Sequence, residues 1–304
     1  MTHTSDPALA SFDSWMAAEL AAVEAKLDQL VVADTPAGLG EVMRYGVLDG
    51  GKRLRPLLAL AAAAAVHGRR EAALRAACAA ELIHAYSLVH DDMPCMDNDV
   101  LRRGKATVHV EYGEARAMLA GDAMQALAFE VLAPEDEDLI PAALQARLCR
   151  LLAQAAGVQG MAGGQAIDLA SVGQPLSETQ LQDMHRRKTG ALLQGAVLMG
   201  AACGNPSATA WAALGDYGAA IGLAFQVVDD ILDVTQASAT LGKTAGKDAD
   251  QDKPTYVSAL GLEGARARAR DLHRRAIDAL QGSGLGDAAL RLTQLADRIV
   301  EREF

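Results

Sequence analysis

Long stretches in which apolar residues recur with helical spacing, and almost none that alternate as a β-strand does, most restrict the fold of this chain. These stretches are rich in Ala, Leu, Glu, Gln and Arg, which favour helices. Turn-forming segments such as LDGGKRLRP, APEDEDLIP and CGNPS separate them. The pattern predicts helices over residues 8–32, 39–49, 54–67, 70–96, 107–132, 141–160, 177–203, 207–236, 255–281 and 286–302.

The connections between the predicted helices are too short and too ordinary in composition to divide the chain. We therefore expect an all-α protein with a single domain over residues 1–304, a large helical bundle in which only about the first eight residues are flexible. Ala and Leu supply most of the apolar content of 51%, whereas aromatic residues contribute 4%. Such a bundle would pack its helices closely through small side chains.

Charge and targeting signals restrict the partners and the compartment. A formal net charge of -11 argues against nucleic acids and anionic membranes as partners, because phosphate groups attract the opposite charge. The longest apolar run, PLLALAAAAAV, is too short to span a bilayer, and the N-terminus lacks the basic and apolar regions of a signal peptide. The four cysteines show no metal-ligand or disulfide spacing. We therefore expect a cytoplasmic protein without a membrane span.

Two acidic segments interrupt apolar helical stretches. LVHDDMPCMDND covers residues 88–99, and AFQVVDDILDV covers residues 224–234. Positions i and i+4 share one helix face, so the DDxxD pattern of the second segment places its carboxylates together. One such pattern is also typical of a solvated helix surface, but two with apolar flanks indicate carboxylates that meet a positive charge. Oxygen ligands of this kind suit Mg²⁺, which often shares its coordination shell with phosphates.

Basic residues accompany the acidic segments in GGKRLRP, LRRGK, HRRKTGALL and LGKTAGKDADQDKPTY. Taken singly, they are compatible with ordinary surface ion pairs, which contribute little. Arg and Lys beside carboxylates that bind Mg²⁺ are, however, a common arrangement for holding diphosphates. Because no P-loop or GxGxxG fingerprint is present, a nucleotide is not the predicted source of those phosphates.

The ordered series GGKRLRP, LIHAYSLVHDDMPCMDNDVLRRGK, GDAMQALAFEVL, GMAGGQAIDL, KTGALL and GLAFQVVDDILDV resembles the trans-prenyltransferases. These are the head-to-tail isoprenyl diphosphate synthases, and the likeness is greatest to the bacterial farnesyl diphosphate synthases. It extends from about residue 40 to the C-terminus. The resemblance implies the isoprenoid synthase fold, with helices around a central cavity, and a homodimer. It also implies three Mg²⁺ ions per active site, with Mn²⁺ as a substitute.

The same resemblance implies three sets of site residues. The expected metal ligands are Asp91, Asp97 and Asp229, with Asp92, Asp230 and Asp233 in support. The groups expected around an allylic diphosphate are Arg102, Lys188, Thr189, Gln226, Lys243 and Lys253. Those expected around isopentenyl diphosphate are Lys52, Arg55, His84 and Arg103, although a lone histidine in an apolar helix is often a core residue. Gln165 and Asp168 lie in a matching segment in which structural and functional roles stay equally open.

Product length is expected to depend on Tyr86, which lies five residues before Asp91. In the family, an aromatic residue here, together with the insertion of Pro94 and Cys95, resembles the enzymes that make the fifteen-carbon product. We therefore expect condensation of isopentenyl diphosphate with dimethylallyl and then geranyl diphosphate. A core role for Tyr86, a geranyl or geranylgeranyl product, a terpene cyclase and a non-catalytic synthase subunit are the alternatives. Residues 237–252 are expected to be mobile until diphosphate and metal bind.

Overall fold

The computed structural model describes residues 7–48, 50–174, 176–235 and 255–301. Within these ranges the α-helices are α1 (Pro7–Leu30), α2 (Leu39–Val47), α3 (Leu54–Ala65), α4 (Arg70–Asp91), α5 (Val108–Tyr112), α6 (Glu114–Leu132), α7 (Ala142–Ala156), α8 (Met161–Ala170), α9 (Glu178–His185), α10 (Ala191–Ala202), α11 (Ala208–Thr235), α12 (Tyr256–Gln281) and α13 (Leu290–Val300). A π-helical turn, Arg186–Gly190, joins α9 to α10. The all-α prediction is confirmed.

Small side chains let the central helices approach one another closely. Helix α4 buries Ala76, Ala77 and Ala80 in the largest apolar cluster, and α11 runs through the two other clusters. A Cβ atom added to Gly200 of α10 would lie 2.0 Å from the carbonyl oxygen of Ala59 in α3. These two backbones therefore touch, as the Ala-rich composition predicts, and a larger residue at Gly200 would push them apart.

The first acidic segment departs from the predicted helix. The prediction ran to residue 96, whereas α4 ends at Asp91 and Asp92 is its C-cap. Proline disfavours the helical conformation of the residue before it, so Pro94 opposes continuation through Met93. The chain then turns back, and an antiparallel hairpin follows between β1 (Leu101–Arg102) and β2 (Lys105–Ala106), which the helical pattern did not predict.

Glycines account for two other differences from the predicted helices. The predicted helix 107–132 is divided at Gly113, whose φ of 86° is compatible with glycine but not with a helix. Helix α8 was not predicted, because Gly163 and Gly164 lower helix propensity. Tertiary packing overrides that preference: a Cβ atom at Gly164 would lie 2.1 Å from the backbone nitrogen of Lys188. The glycine is therefore required by the close contact.

Helices α4 and α11 are long and apolar enough to cross a bilayer by length and composition alone, although no single apolar run in the sequence reaches that length. In their most apolar windows, 67% of α4 and 61% of α11 is buried inside the protein. Both helices also end in the acidic segments. Their apolar character therefore belongs to the core of the bundle, which they cross to bring those carboxylates to one end.

Candidate active site

The turn after α4 folds the first acidic segment back onto the helix end. The backbone N–H of Asp97 donates to the carbonyl of Asp91 at 2.8 Å, and the N–H of Asp99 donates to the carbonyl of Asp92 at 3.0 Å. Asn98 adopts a left-handed φ of 51°, which Asn tolerates better than most residues. These bonds satisfy carbonyls at the helix end and bring the backbones of Asp91 and Asp97 together.

The buried carboxyl group of Asp91 interacts with charges of both signs. Burial raises the pKa of its carboxyl group to about 6; the Lys188 ammonium opposes that rise, and the charge of Asp97 adds to it. Lys188 belongs to the π-helical turn, so that turn and the end of α4 face a common space. A carboxylate crowded by like charge gains stability from a cation placed beside it.

Asp92 has a different partner from Asp91. It is buried, and the Arg102 guanidinium grips it in a fork, with Nε 2.8 Å from Oδ2 and Nη2 2.5 Å from Oδ1. Arg102 comes from β1 of the hairpin, so this pair fixes the hairpin against α4. The structure thus places Arg102 beside the acidic cluster, where it binds both carboxylate oxygens of Asp92.

The GGKRLRP segment lies against the same hairpin. Arg103 donates from Nη1 to the carbonyl of Gly50 at 2.7 Å. Gly51 has a φ of 123°, which favours glycine, and a Cβ atom there would lie 2.8 Å from Nη2 of Arg103. Arg53 turns inward instead, donating to Glu81 at 2.7 Å and to the carbonyl of Val47 at 2.6 Å. Arg53 therefore anchors the loop. Its neighbours Lys52 and Arg55 are the residues of this segment that are expected to contact a ligand.

Those neighbours form a strongly positive region beside α4. Arg55 is buried, and its Nε has no hydrogen-bond partner. The pKa of His84 lies well below the ordinary histidine value, first through desolvation and then through the positive charges of Arg55 and Arg103. Lys52, in the same segment as Arg55, is exposed. A neutral imidazole among guanidinium groups marks a place where an anion would be stabilised. Of the four residues predicted for isopentenyl diphosphate, Arg55, His84 and Arg103 are therefore grouped in one region.

The second acidic segment occupies the last turns of α11 and is tied into a hydrogen-bond chain. Thr189 donates to Oε1 of Gln226 at 2.8 Å, and Gln226 donates to Oδ1 of Asp230 at 2.8 Å. The backbone N–H of Tyr256 donates to Oδ2 of Asp230 at 2.8 Å. Asp230 is therefore buried and fixes the start of α12. Asp229 is partly exposed and Asp233 is buried on the same helix.

Close backbone packing sets the position of the π-helical turn between these segments. Gly164 of α8 contacts the backbone of Lys188, and a Cβ atom at Gly222 of α11 would lie 2.7 Å from Cα of Gly190. Nζ of Lys188 lies 2.5 Å from Oδ2 of Asp168, and Asp168 is only 5% exposed. The π-helical turn is thus held between α8 and α11. Its Lys188 interacts with Asp91 of the first acidic segment, and its Thr189 is hydrogen-bonded to Gln226 of the second.

Tyr86 lies deeper along α4 than Asp91. Its hydroxyl accepts a hydrogen bond from Nε2 of Gln125 on α6 at 3.3 Å, and its ring packs edge-on against His90 at 5.7 Å. Desolvation raises the pKa of the Tyr86 hydroxyl, and Asp91 also contributes to the rise. A Cβ atom at Gly121 would lie 2.0 Å from the His90 ring, so the α4–α6 contact leaves these side chains little freedom. Tyr86 is therefore held within reach of the acidic site.

Two elements of the site were not predicted. Asp168 was left open, and nothing in its spacing pointed to Lys188, twenty residues away. His185 and Tyr256 stack at 5.4 Å beside the π-helical turn, and both His185 ring nitrogens are buried without a hydrogen-bond partner. The only available signal in the sequence was that His185 lies three residues before Lys188 of KTG. Lys243, Lys253 and the stretch 237–252, for which closure was predicted, lie outside the described residues.

The donor set suits a hard divalent cation that binds together with a diphosphate. Among the described residues, no three His, Cys, Asp or Glu side chains converge as a complete metal site. Mg²⁺ needs only one or two carboxylates when phosphates and waters supply the rest of its shell. The crowded Asp91 carboxyl, its pKa raised to about 6, provides such a ligand position, and the basic groups nearby suit the phosphates. The residues present therefore fit Mg²⁺ held jointly with a diphosphate.

Comparison with known proteins places this arrangement in a family. The polyprenyl synthetase family model matches residues 36–283. The chain is 48% identical to a probable farnesyl diphosphate synthase of Bradyrhizobium diazoefficiens, covering 93% of this chain and 86% of the relative. It is 44% identical to the large subunit 1 of a heterodimeric geranylgeranyl pyrophosphate synthase from Arabidopsis thaliana, covering 98% and 81%.

A solved structure agrees with the sequence relatives. A geranyltransferase of Helicobacter pylori, complexed with magnesium and isoprenyl diphosphate, superposes with a TM-score of 0.82 at 33% identity, covering 99% of each chain. Fold and family together define a trans-prenyltransferase with the isoprenoid synthase fold. This chain belongs to the polyprenyl synthetase family, and the family and fold predictions are confirmed.

Proposed function

We propose that the protein is a Mg²⁺-dependent synthase that condenses isopentenyl diphosphate with dimethylallyl diphosphate and then geranyl diphosphate, giving (2E,6E)-farnesyl diphosphate. One observation carries the proposal: basic groups from different segments lie near the first acidic segment. Arg55, Arg103 and Arg102 act on His84 of α4, while Lys188 of the π-helical turn acts on Asp91. Two diphosphate sites are what a head-to-tail condensation requires, whereas a terpene cyclase needs only one.

The chemistry assigned to these groups is ionisation, condensation and elimination. Mg²⁺ held by Asp91, Asp97 and Asp229 would supply the charge that makes diphosphate a good leaving group. Lys188 and Arg102 act on the Asp91 carboxyl group and stabilise negative charge as the allylic C–O bond breaks. Thr189 and Gln226, fixed by their mutual hydrogen bond, present oxygen atoms near the cation. Arg55 holds isopentenyl diphosphate so that its double bond forms the new C–C bond.

The last step is loss of a proton from the new cation, which restores a double bond. The departing diphosphate is the nearest strong acceptor once the C–O bond has broken. His84 is a poor alternative, because desolvation and the surrounding guanidinium groups hold its pKa well below the ordinary value and so make the ring a weak base. Apolar helix faces exclude water from the cation. This assignment needs no dedicated side-chain base.

The test is incubation of the purified protein with Mg²⁺, labelled isopentenyl diphosphate and dimethylallyl diphosphate, followed by chromatographic analysis of the dephosphorylated products. A fifteen-carbon alcohol is expected, with no product when EDTA replaces Mg²⁺. A cyclic hydrocarbon would establish a terpene cyclase, and no condensation would indicate a non-catalytic subunit.

A twenty-carbon product is the second candidate, because the relatives at 44% identity include a geranylgeranyl synthase subunit. The placement of Tyr86 against Gln125 and His90 favours the shorter product, since the ring narrows the space beside α4. The same product analysis distinguishes the two products. A main product of twenty carbons, rather than fifteen, from the wild-type protein would refute the farnesyl assignment.

A homodimer in the cytoplasm completes the proposal. Helices α5 and α6 expose the apolar side chains of Val110, Met118 and Leu119 at 49%, 40% and 55%, and α6 also carries Gln125, the partner of Tyr86. All four cysteines are free thiols, as a reducing compartment favours. Light scattering coupled to gel filtration should give twice the chain mass, and Leu119→Glu should give the monomer mass. A wild-type monomer would refute the dimer.

A further inference from the structure

Asp168 is a buried carboxylate beside the proposed diphosphate site that the chemistry above does not use. It lies near the end of α8 and is 5% exposed. Its Oδ2 lies 2.5 Å from Nζ of Lys188. A buried carboxylate is costly unless a cation pairs with it, so the contact stabilises both charges and restricts the lysine to one position.

The fold enforces this pairing through the backbone. Gly164 contacts the backbone nitrogen of Lys188, and Asp168 follows Gly164 by four residues, one turn further along the same face of α8. The lysine backbone is therefore pinned to one turn of the helix while its ammonium is held by the next. Both ends of a flexible four-carbon side chain are fixed, which lowers the entropy it loses when a ligand binds.

Lys188 also has a second acidic neighbour in Asp91. The ammonium lowers the pKa of Asp91 against the effect of burial, so the two charges interact through space. A lysine ammonium has three N–H donors, so the contact with Asp168 leaves two for phosphate oxygens.

We propose that Asp168 is a positioning residue, which holds the Lys188 ammonium ready for the allylic diphosphate. The inference rests on the proposed function, because it assigns Lys188 to that diphosphate. Asp168 itself touches neither the substrate nor the metal in this arrangement. Any effect of Asp168 on diphosphate binding therefore depends on Lys188. A general contribution of Asp168 to folding would not depend on Lys188, so an experiment can distinguish the two.

The experiment measures binding rather than turnover. Isothermal titration calorimetry with Mg²⁺ and dimethylallyl S-thiolodiphosphate, an unreactive allylic analogue, is carried out on wild type and Asp168→Asn. Asn keeps nearly the same shape but removes the charge, and the Kd should rise about tenfold, since a charged hydrogen bond is worth roughly 1.5 kcal/mol. The same substitution in a Lys188→Met background should leave the Kd unchanged. Asp183→Asn, which loses ion pairs to Arg186 and Arg187 in the same turn, is the matched control and should bind as wild type does.

Thermal melting without ligand separates folding from positioning. If Asp168→Asn unfolds below the assay temperature, Asp168→Glu takes its place, because it keeps the charge but displaces the carboxylate by one methylene. Either variant must weaken binding in the Lys188 enzyme and have no effect in the Lys188→Met background. Unchanged or tighter binding, or equal weakening in both backgrounds, would overturn the positioning role while the proposed function stands. A wild-type protein that does not bind the analogue would refute both.

Discussion

Replacement of Tyr86 by Ala should lengthen the product, because the ring occupies the direction in which a growing chain extends. Tyr86 precedes Asp91 by five residues on α4, or about 7.5 Å along the axis at the usual helical rise. Its hydroxyl contacts Gln125 and its ring contacts His90, so those neighbours hold it in place. Ala would leave the space beside the helix open to a further five-carbon unit.

The size of the effect follows from the apolar area that the added unit buries. Five carbons at about 0.8 kcal/mol each contribute roughly 4 kcal/mol when they are fully buried. Because Tyr86 is only partly buried, we expect half of that free energy, about 2 kcal/mol, to be gained. This corresponds to roughly a 30-fold change in the ratio of further elongation to release of the fifteen-carbon product. The variant should therefore convert most of its fifteen-carbon product to twenty carbons or more, whereas wild type stops.

The assay is chromatography of dephosphorylated products formed from labelled isopentenyl diphosphate and geranyl diphosphate at matched conversion. Tyr86→Phe is the control: it loses only the 3.3 Å bond from Gln125 and should still stop at fifteen carbons. If Tyr86→Ala also stops cleanly at fifteen carbons, other residues form the floor. Longer products from both variants would instead show that the hydroxyl contact, and not the ring, sets the length.

The metal site, the basic loop and the acid titration each give a further test. Asp91→Ala and Asp229→Ala should each lower kcat by at least about a thousandfold with an unchanged circular dichroism spectrum; normal turnover would contradict their role as ligands. Lys52→Ala should raise KM for isopentenyl diphosphate more than for the allylic substrate, and equal increases would place the lysine elsewhere. Arg53→Ala leaves Glu81 buried without its ion pair, so denaturant titration should show a loss of about 3–5 kcal/mol; a loss under 1 kcal/mol would contradict the anchor. Because the pKa of Asp91 is raised to about 6, its ionisation destabilises the metal-free fold as pH rises through that value. Asp91→Asn should therefore raise the Tm at pH 7.5 but not at pH 4, and an equal change at both would refute the raised pKa.

The sequence alone determined the fold class and the identity of the charged clusters, because both depend on local pattern. Helical spacing of apolar residues needs no partner to be recognised, and the Ala-rich stretches predicted close packing that the Gly200–Ala59 contact illustrates. The ordered motifs likewise led to the correct family. The end of α4 at Asp91, in contrast, depends on the hydrogen bonds that the following turn makes to the helix end, and the pattern extended it five residues too far.

Only the tertiary structure decided how neighbouring residues of the same type divide their tasks. Asp92 is held by Arg102, whereas Asp91 faces Lys188 across the site. Asp230 fixes the start of α12 through the N–H of Tyr256. Each assignment joins residues that are distant in sequence, and a carboxylate carries no local mark of the partner it will meet. The charge of each group follows from the sequence, but its partner follows from the packing of helices that brings two distant segments within hydrogen-bond distance.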